Sequence, residues 1–374
     1  MILPLATERL RPSADRPDGL AMGLIGHLSL ARGFRGGERQ AQLLIQELAA
    51  RGVHQRLIAR AGEPLAARAS AIDQLDVCET AGSLLAAARA CRGCALVHVH
   101  DGRSVHAAAL ARALYGVPYV ITRRVDNPIR NNLLTRRAYR GAAAIAVLSG
   151  AIDAQVKALD AALVCQRIPD ATSPHRCDEH GLERLRERYA GRFVVGHIGA
   201  LDHSHKGQRD IFAAAQELAA THPAVTFVLL GSGVDGAAFR ALAAQQSNVE
   251  LAGQVDNVGD YLVLFDAFVF PSLHEGMGST LLDAMAFALP IVATSVGGIV
   301  DLIRDGQNGI LIEPSRPDAL RDAVARLHDD PALARRLGDA GRRVAQDHSP
   351  GVMADRYLDL YRTVFDNQMA TTQA

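Results

Sequence analysis

The sequence contains few aromatic residues and carries no excess of charge. Its 374 residues include no tryptophan, and aromatic residues make up 5% of the total. A cleft lined with aromatic rings, for a long glycan or a single-stranded nucleic acid, is therefore not expected. The 40 basic residues balance the 40 acidic residues, so the formal net charge is +0 at pH 7. This balance argues against a nucleic-acid-binding protein.

Long apolar runs are also missing. None approaches the roughly 20 residues that a membrane-spanning helix requires. Residues 1–20 have too short an apolar run for a signal peptide and are expected to form a loose tail, so we expect a cytoplasmic protein. The 5 scattered cysteines fit a reducing compartment. Cys91 and Cys94 form a CxxC with no second pair at zinc-finger spacing, which favours a structural or incidental role.

Two kinds of catalytic motif are absent. The sequence contains no DxD, so a metal ion clamped to a diphosphate would lack obvious ligands, and no Ser-His-Asp order or nucleophile elbow is visible. No metal or other cofactor is expected. Lysine is scarce, because only Lys157 and Lys206 occur among the basic residues. A lysine kept in a chain that otherwise uses arginine suggests a position that needs a compact ammonium group.

Predicted strands and helices alternate along most of the chain. This alternation indicates an α/β protein with parallel sheets and helices on both faces. It breaks at an irregular stretch with two prolines and mixed charge, and then restarts. The sequence therefore predicts two Rossmann-like doubly wound parallel-sheet domains that face a cleft. The predicted divisions are a tail (1–20), a first domain (21–166), a linker (167–192), a second domain (193–350) and a final helix (351–370).

The most informative stretch is Pro271–Pro290, PSLHEGMGSTLLDAMAFALP. A buried strand, predicted over Tyr261–Phe270, leads into it, and an apolar helix beginning near Ser279 or Thr280 leads out. Glycines in the connecting loop allow the backbone to approach a ligand closely, and the first N–H groups of the helix would face that ligand. Such donors beside two carboxylates suit a ligand with both phosphate and hydroxyl groups, such as a nucleotide sugar.

Several motifs in order resemble one known family. GALDHSHKGQRD, LLGSGVDG, ELAGQVDNV and the stretch that begins PSLHEGMGST are similar to the second half of retaining GT-B glycosyltransferases of family 4. FRGGERQ, VHVHDGRS, ITRRVDN and IAVLSGAI extend the resemblance into the first half more weakly. The resemblance implies an acceptor-side first domain, a donor-side second domain and a last helix that crosses back onto the first domain.

The resemblance also implies roles for three side chains. Glu275 would lie by the donor sugar, Asp283 by the ribose hydroxyls, and Lys206 against the diphosphate. Asp283 stands where the family's EX7E pattern has a second glutamate, and a carboxylate of either length accepts hydroxyl hydrogen bonds. Ala200 occupies a position where an arginine often holds the diphosphate. His203, His205 or Arg35 would then supply the missing charge.

The remaining donor-side residues come from the same motifs. The glycine pair after the first strand matches the family's glycines near the diphosphate and acceptor, although two glycines are also ordinary turn chemistry. Contacts to the nucleotide base are expected from the backbone near Gly253–Val255. The predicted donor-binding residues besides Asp283 are Gly36, Gly37, Gly207, Val255, Gly276, Met277, Gly278, Ser279 and Thr280.

The acceptor side is predicted from polar residues at strand ends. His98 and His100 share a strand face, and His100 is a candidate acceptor residue, although a lone histidine there is more often structural. Arg123 and Arg124 stand where many relatives carry a histidine that touches the donor sugar. They begin a basic stretch, Thr122–Arg140, that is either a solvated face or a site for an anionic acceptor or membrane surface.

Two other functions remain open from the sequence. Gly231-Ser-Gly-Val-Asp-Gly236 is a GxGxxG after a predicted strand, with Glu250 further on, which alone would indicate an NAD(P)-dependent oxidoreductase. Ala200 and Arg123 leave room for a non-catalytic relative that only binds a nucleotide sugar. The favoured prediction is a metal-independent retaining glycosyltransferase. It would transfer a sugar to a glycan or lipid-linked acceptor in lipopolysaccharide or other envelope synthesis, with possible contact at the inner membrane surface.

Overall fold

The first sheet of the protein is parallel and has seven strands. The computed structural model describes residues 22–373, so the predicted tail, 1–20, lies outside the described residues. The strand order is β3-β2-β1-β4-β5-β6-β7. Because every neighbouring pair is parallel, helices connect successive strands. The strands are β1 (Ile25–Ser29), β2 (Gln55–Arg60), β3 (Leu75–Thr80), β4 (Leu96–Val99), β5 (Tyr119–Arg123), β6 (Ala144–Val147) and β7 (Cys165–Arg167).

The second sheet is also parallel and has six strands in the order β10-β9-β8-β11-β12-β13. Three of its inner strands, Val225–Leu230, Ala267–Phe270 and Ile291–Thr294, are buried along their whole length, as expected where helices cover both faces of a sheet. The predicted α/β class with two parallel-sheet units is confirmed. The strands are β8 (Phe193–Ile198), β9 (Val225–Leu230), β10 (Val249–Gly253), β11 (Ala267–Phe270), β12 (Ile291–Thr294) and β13 (Ile310–Ile312).

Helices supply the connections in both halves. The first half contains α1 (Gly36–Ala50), α2 (Pro64–Ala69), α3 (Leu84–Ala90), α4 (Ser104–Tyr115), α5 (Leu133–Arg140) and α6 (Gly150–Leu159). The rest contains α7 (Glu179–Arg188), α8 (His203–Lys206), α9 (Gln208–Thr221), α10 (Gly236–Ala243), α11 (Val258–Leu264), α12 (Ser279–Ala286), α13 (Ile299–Leu302), α14 (Pro317–Asp329), α15 (Pro331–Gln346) and α16 (Pro350–Gln373). None of the helices in the described part of the chain is long and apolar enough to cross a membrane.

The strand predicted over Tyr261–Phe270 is wrong in its first half. Residues 258–264 form α11, and only Ala267–Phe270 is β11. Both elements are buried, so the apolar run does not show where the helix ends. Asp266 lies between the helix and the strand, and its carboxylate accepts a hydrogen bond from the Val194 N–H at 2.7 Å.

The predicted linker is more regular than its composition suggested. Its prolines and polar residues leave 168–178 and 189–192 without regular structure, whereas α7 occupies Glu179–Arg188. Asp178 caps this helix by accepting a hydrogen bond from the Gly181 N–H at 2.8 Å. A helix cap of this kind is a local signal that the sequence analysis missed.

The last helix packs on the first sheet. Met353, Tyr357 and Tyr361 of α16 lie in one hydrophobic cluster with Leu44 of α1 and Val120 of β5. Both tyrosines are fully buried, so their hydroxyl groups need partners inside the protein. Through this contact, residues that follow the second sheet return to the first half of the molecule.

The two cysteines of the CxxC are core residues. Cys91 and Cys94 carry free thiols and are buried in the largest hydrophobic cluster of the described chain. Burial raises the pKa of the Cys91 thiol to about 12, so the reactive thiolate is not formed near neutral pH. Their surroundings agree with the structural role that the sequence favoured.

Candidate active site

A cleft of about 980 Å³ lies where the carboxyl ends of the two sheets face each other. This is where parallel α/β sheets bind ligands. The first half contributes the loops after β1, β4 and β5, and the second half contributes the loops after β8, β9, β10 and β11. Lining residues that the sequence predicted are Gly36, Gly37, His100, Arg123, Arg124, Lys206, Val255, Glu275, Gly276, Met277, Gly278, Ser279 and Thr280.

Lys206 and Glu275 meet in this cleft. The Nζ of Lys206 is 2.5 Å from the Oε2 of Glu275, and the ammonium lies 5.1 Å from the centre of the Phe270 ring. The side chains are 22% and 16% exposed, so the pair is largely shielded but still open to a ligand. A cation held beside a carboxylate at this position can stabilise a phosphate leaving group.

Gly207 shapes the cleft without lining it. It ends the short helix α8 with φ 63, in the left-handed region, and starts α9. An added Cβ would collide with the carbonyl oxygen of Pro271. Glycine at this position therefore lets the loop that carries Lys206 lie against the chain leading to Glu275.

Helix α12 begins at the floor of the cleft. Gly278 precedes it with φ 84, and no side chain caps the first N–H groups. A Cβ added to Gly36 would lie 3.5 Å from the Ser279 Oγ, so the glycine loop of the first half faces this helix end. Gly276 has no room for a side chain, because the carbonyl oxygen of Arg124 occupies that space. Free N–H groups at a helix start form an anion-binding site.

Arg35 is the best-placed substitute for the arginine missing at Ala200. The backbone N–H of Arg35 donates to Glu38 at 2.9 Å, and its side chain lines the cleft without an ion pair to any described residue. His205 also lines the cleft, but its ring contacts Asp202 at 3.1 Å. His203 is not among the lining residues. Of the three candidates, Arg35 is thus the one that brings a charge without an ion pair among the described residues to the glycine loop, and Arg32 and Arg39 line the same part of the cleft.

The Asp283 side chain is directed to the linker rather than to the cleft. Its Oδ1 accepts from the Ser173 N–H at 2.6 Å, and its Oδ2 lies 3.0 Å from the His175 Nε2. The carboxylate is 11% exposed. Met277 also reaches the linker, since its sulfur accepts from the Asp170 N–H at 3.3 Å. The ribose role of Asp283 stays a prediction.

Three buried histidines lie on the first sheet beside the cleft. The Nδ1 of His27 is 3.0 Å from the Nε2 of His100, and His98 lies between the Tyr361 hydroxyl and the Thr122 hydroxyl, each at 2.6 Å. Burial lowers the pKa of His27 to about 4 and holds the pKa values of His98 and His100 well below 6.5. These rings are therefore neutral near pH 7. His27 was missed by sequence reasoning, although its strand pairs with that of His98.

The two arginines predicted on the acceptor side are held by internal partners. Arg124 forms an ion pair with Asp170, and the two side chains are 6% and 7% exposed. Burial raises the pKa of Asp170, and Arg124 opposes that shift. Arg123 donates to the carbonyl oxygen of Asn127. Both arginines contribute to the wall of the cleft, and only Arg124 has an acidic partner there among the described residues.

The glycine-rich turn after β9 packs against the loop after β8, and Gly231 and Gly233 also line the cleft. A Cβ on Gly231 would meet the carbonyl oxygen of Gly199, and one on Gly233 would meet the backbone of Leu201. Glu250 pairs with Arg188 at 2.6 Å. These glycines are needed for close packing against the loop that leads to Lys206, which accounts for the GxGxxG without a dinucleotide.

Two facing Rossmann-like sheets with a ligand cleft between them define the GT-B class of glycosyltransferases, and solved structures share this arrangement. Anabaena HepE, whose crystal structure is a complex with UDP-glucose, superposes with a TM-score of 0.80 and 17% identity. The match covers 91% of this chain and 100% of that chain. The predicted GT-B fold is confirmed.

Sequence comparisons identify the family. Residues 192–330 match the family model described as Glycosyl transferases group 1. The alpha-maltose-1-phosphate synthase of Mycolicibacterium smegmatis is 30% identical over 310 residues, which cover 72% of this chain and 79% of that protein. The 2-deoxystreptamine glucosyltransferase of Streptomyces kanamyceticus is 29% identical over 298 residues, covering 70% and 76%. This chain belongs to the group 1 glycosyltransferases, and the oxidoreductase hypothesis is not retained.

Proposed function

We propose that this glycosyltransferase transfers a sugar from a nucleotide sugar to an acceptor hydroxyl with retention at the anomeric carbon and without a metal ion. The observation that carries the proposal is the Lys206–Glu275 pair beside the uncapped start of α12. The arrangement offers positive charge for a diphosphate and a carboxylate for sugar hydroxyls. The absence of a DxD from the sequence is consistent with protein groups supplying that positive charge.

Each part of the cleft then has a role. Lys206 and the first N–H groups of α12 stabilise the nucleoside diphosphate as it leaves. Arg35, from the opposite loop, adds charge where relatives often use an arginine at the position of Ala200. Glu275 orients the donor sugar. The proposed donor contacts from the loops are Gly36, Gly37, Val255, Gly276, Met277, Gly278, Ser279 and Thr280.

The chemical step needs no covalent enzyme intermediate. The bond between the anomeric carbon and the phosphate oxygen breaks, and the acceptor oxygen forms its bond on the same face. The acceptor proton passes to the departing phosphate oxygen, so the atoms and charges balance. Closure of the two halves would exclude water from the cleft, which disfavours hydrolysis of the donor.

The donor can be found by ligand stabilisation. HepE was solved with UDP-glucose, which makes UDP-sugars the first to test. A melting-temperature screen with UDP-, GDP-, ADP- and CMP-sugars should show one nucleotide series that stabilises the protein, because a ligand that binds only the folded state raises its stability. Transfer with that donor in the presence of EDTA, followed by NMR of the product anomer, tests the rest. An inverted product, or activity that requires an added metal, would overturn the mechanism.

We further propose that the acceptor is a glycan or lipid-linked molecule of the cell envelope, such as a lipopolysaccharide precursor, handled on the cytoplasmic side of the inner membrane. Support comes from the basic stretch Thr122–Arg140, which borders the cleft. Transfer assays with the identified donor should favour anionic, lipid-linked acceptors over free neutral sugars. Equal rates with both acceptor classes would remove this part of the proposal.

A further inference from the structure

Helix α5 exposes two adjacent leucines at its N-terminus. Leu133 and Leu134 are 80% and 73% exposed, whereas Thr135, Ala138 and Tyr139 on the same helix are buried. At 100° per residue, Leu133 lies opposite the buried face, in the middle of the surface that points outward. Soluble proteins expose single leucines freely, but a large apolar pair at the outer centre of a helix indicates a contact surface.

The same outward face is strongly basic. Arg136, Arg137 and Arg140 follow the leucines, Arg130 precedes them, and all four are exposed. Arg140 pairs with Asp160, and Arg136 donates to the Asn131 side chain. Asp126 is the only acidic residue in the sequence between Thr122 and Arg140. Leucines set among arginines match the two parts of an anionic lipid interface, the acyl boundary and the charged headgroups.

The surface borders the cleft. Helix α5 follows β5 through the loop at 124–132, and Val125, Asp126 and Asn127 of that loop line the cleft. Val125 is 51% exposed. In a parallel sheet the helix after a strand begins at the carboxyl edge, so the N-terminus of α5 lies on the cleft side. A bilayer resting on α5 would lie beside the opening where an acceptor enters.

We propose that Leu133, Leu134 and the arginines of α5 form a docking surface for an anionic lipid bilayer. The leucines insert at the headgroup boundary, and the arginines contact lipid phosphates. The docking surface would bring the protein to a lipid-linked acceptor, as the proposed function requires. Only this purpose of the docking surface rests on the proposed function. Membrane binding itself requires neither donor nor turnover.

Vesicle flotation of the full chain tests the docking surface. The protein should float with vesicles of phosphatidylglycerol and phosphatidylcholine, and much less with phosphatidylcholine alone or at high salt. The Leu133→Ser/Leu134→Ser variant should lose about tenfold or more of its partitioning, because it removes the inserting side chains. Arg136→Gln/Arg137→Gln should weaken binding to the anionic vesicles and reduce its salt dependence.

A matched control comes from the same half of the protein. Leu84 and Leu85 are also the first two residues of a helix and are 36% and 45% exposed. Their double serine variant should float like the unaltered protein. The melting shift produced by the donor nucleotide should be unchanged in every variant, so failure of the docking surface is distinguishable from failure of the proposed function.

Two results would overturn the docking surface. One is equal flotation of the unaltered protein and the Leu133→Ser/Leu134→Ser variant. The other is an association between protein molecules that the leucine variant abolishes while vesicles bind neither form, which would assign the surface to a protein interface. Analytical ultracentrifugation of both forms without lipid distinguishes this second outcome.

Discussion

The two halves of the cleft use their charged residues differently. In the second half, Lys206 and Glu275 pair with each other within reach of a ligand, and no side chain caps the start of α12. In the first half, Arg124 is paired with buried Asp170, and the nearby histidines are buried and neutral. Polar residues of the second half thus stay within reach of a ligand, whereas those of the first half largely hold the fold together.

This difference shows what a polar residue near a cleft does and does not indicate. Tyr357 and Tyr361 of α16 reach into the first half of the protein. The hydroxyl of Tyr357 hydrogen bonds with Thr122, and that of Tyr361 hydrogen bonds with His98. The crossing helix therefore uses the polar groups of the first sheet as attachment points. Lining a cleft is not sufficient for a binding role, because the partner that a side chain already has decides what it can offer to a ligand.

Acid should weaken the first half of the protein more than the second half. His27, His98 and His100 are buried in the first half, and His197 is buried in the second. Burial lowers the pKa of His27 and of His197 to about 4. Below about pH 6.5 the histidines of the unfolded chain bind protons, whereas the buried rings of the folded protein stay neutral. The free energy of unfolding therefore falls as the pH drops from about 6.5 toward 4. At pH 5 the lowered pKa of His27 and that of His197 each reduce the free energy of unfolding by about 2 kcal/mol.

Urea unfolding at pH 7 and pH 5 measures the total loss, and hydrogen exchange locates it. Protection should fall first in β1 and β4, which carry His27 and His98 and lead to His100, and later in the second sheet. Replacing His27 by leucine should reduce the acid-induced loss, while replacing exposed His54 by glutamine should not. Equal loss of protection in both sheets would contradict the comparison of the two halves.

Breaking the Arg124–Asp170 pair should cost about 3–5 kcal/mol of unfolding free energy, because Asp170 would stay buried without a partner. The change is Arg124→Leu, and chemical denaturation measures the result. The double change Arg124→Leu/Asp170→Leu should recover much of the loss, since no buried charge remains. Arg342→Leu, which removes an exposed ion pair with Asp339, is the matched control and should cost far less. An equal loss in single and double variants would show that packing, not charge, holds this site.

Lys206→Ala and Glu275→Ala should each reduce kcat/KM by about 10²–10³-fold, the range for removal of one preorganised electrostatic contact. Folding should be kept, because both side chains are partly open to the cleft. The chain offers a close control in its other lysine, Lys157, which is exposed and pairs with Asp153. Lys157→Ala should leave transfer unchanged. Full activity in both cleft variants would place the donor site elsewhere.

Local sequence patterns carry more information about the second half of the cleft than about the first half, for a physical reason. Gly276, Gly278 and Glu275 act through a local loop and helix start, so their spacing in one stretch carries the information. Arg124 meets Asp170 46 residues away, and His98 meets Tyr361 263 residues away. No local pattern shows such partners. The strand predicted over Tyr261–Phe270 was wrong for another reason, because a buried helix and a buried strand have the same apolar composition.

Asp283 stands in the local motif of the second half, yet its observed partners are distant in the sequence. Its replacement should have the smallest effect. The resemblance implies a contact with the ribose, whereas both carboxylate oxygens already have partners on the linker, at Ser173 and His175. We expect Asp283→Asn to lower the unfolding free energy by about 1–2 kcal/mol, the difference between a charged and a neutral hydrogen-bond acceptor. Nucleotide affinity, measured by calorimetry, should change by less than about threefold, well under 1 kcal/mol. A tenfold loss of affinity at unchanged stability would instead assign Asp283 to the donor and show that the linker releases it when the nucleotide binds.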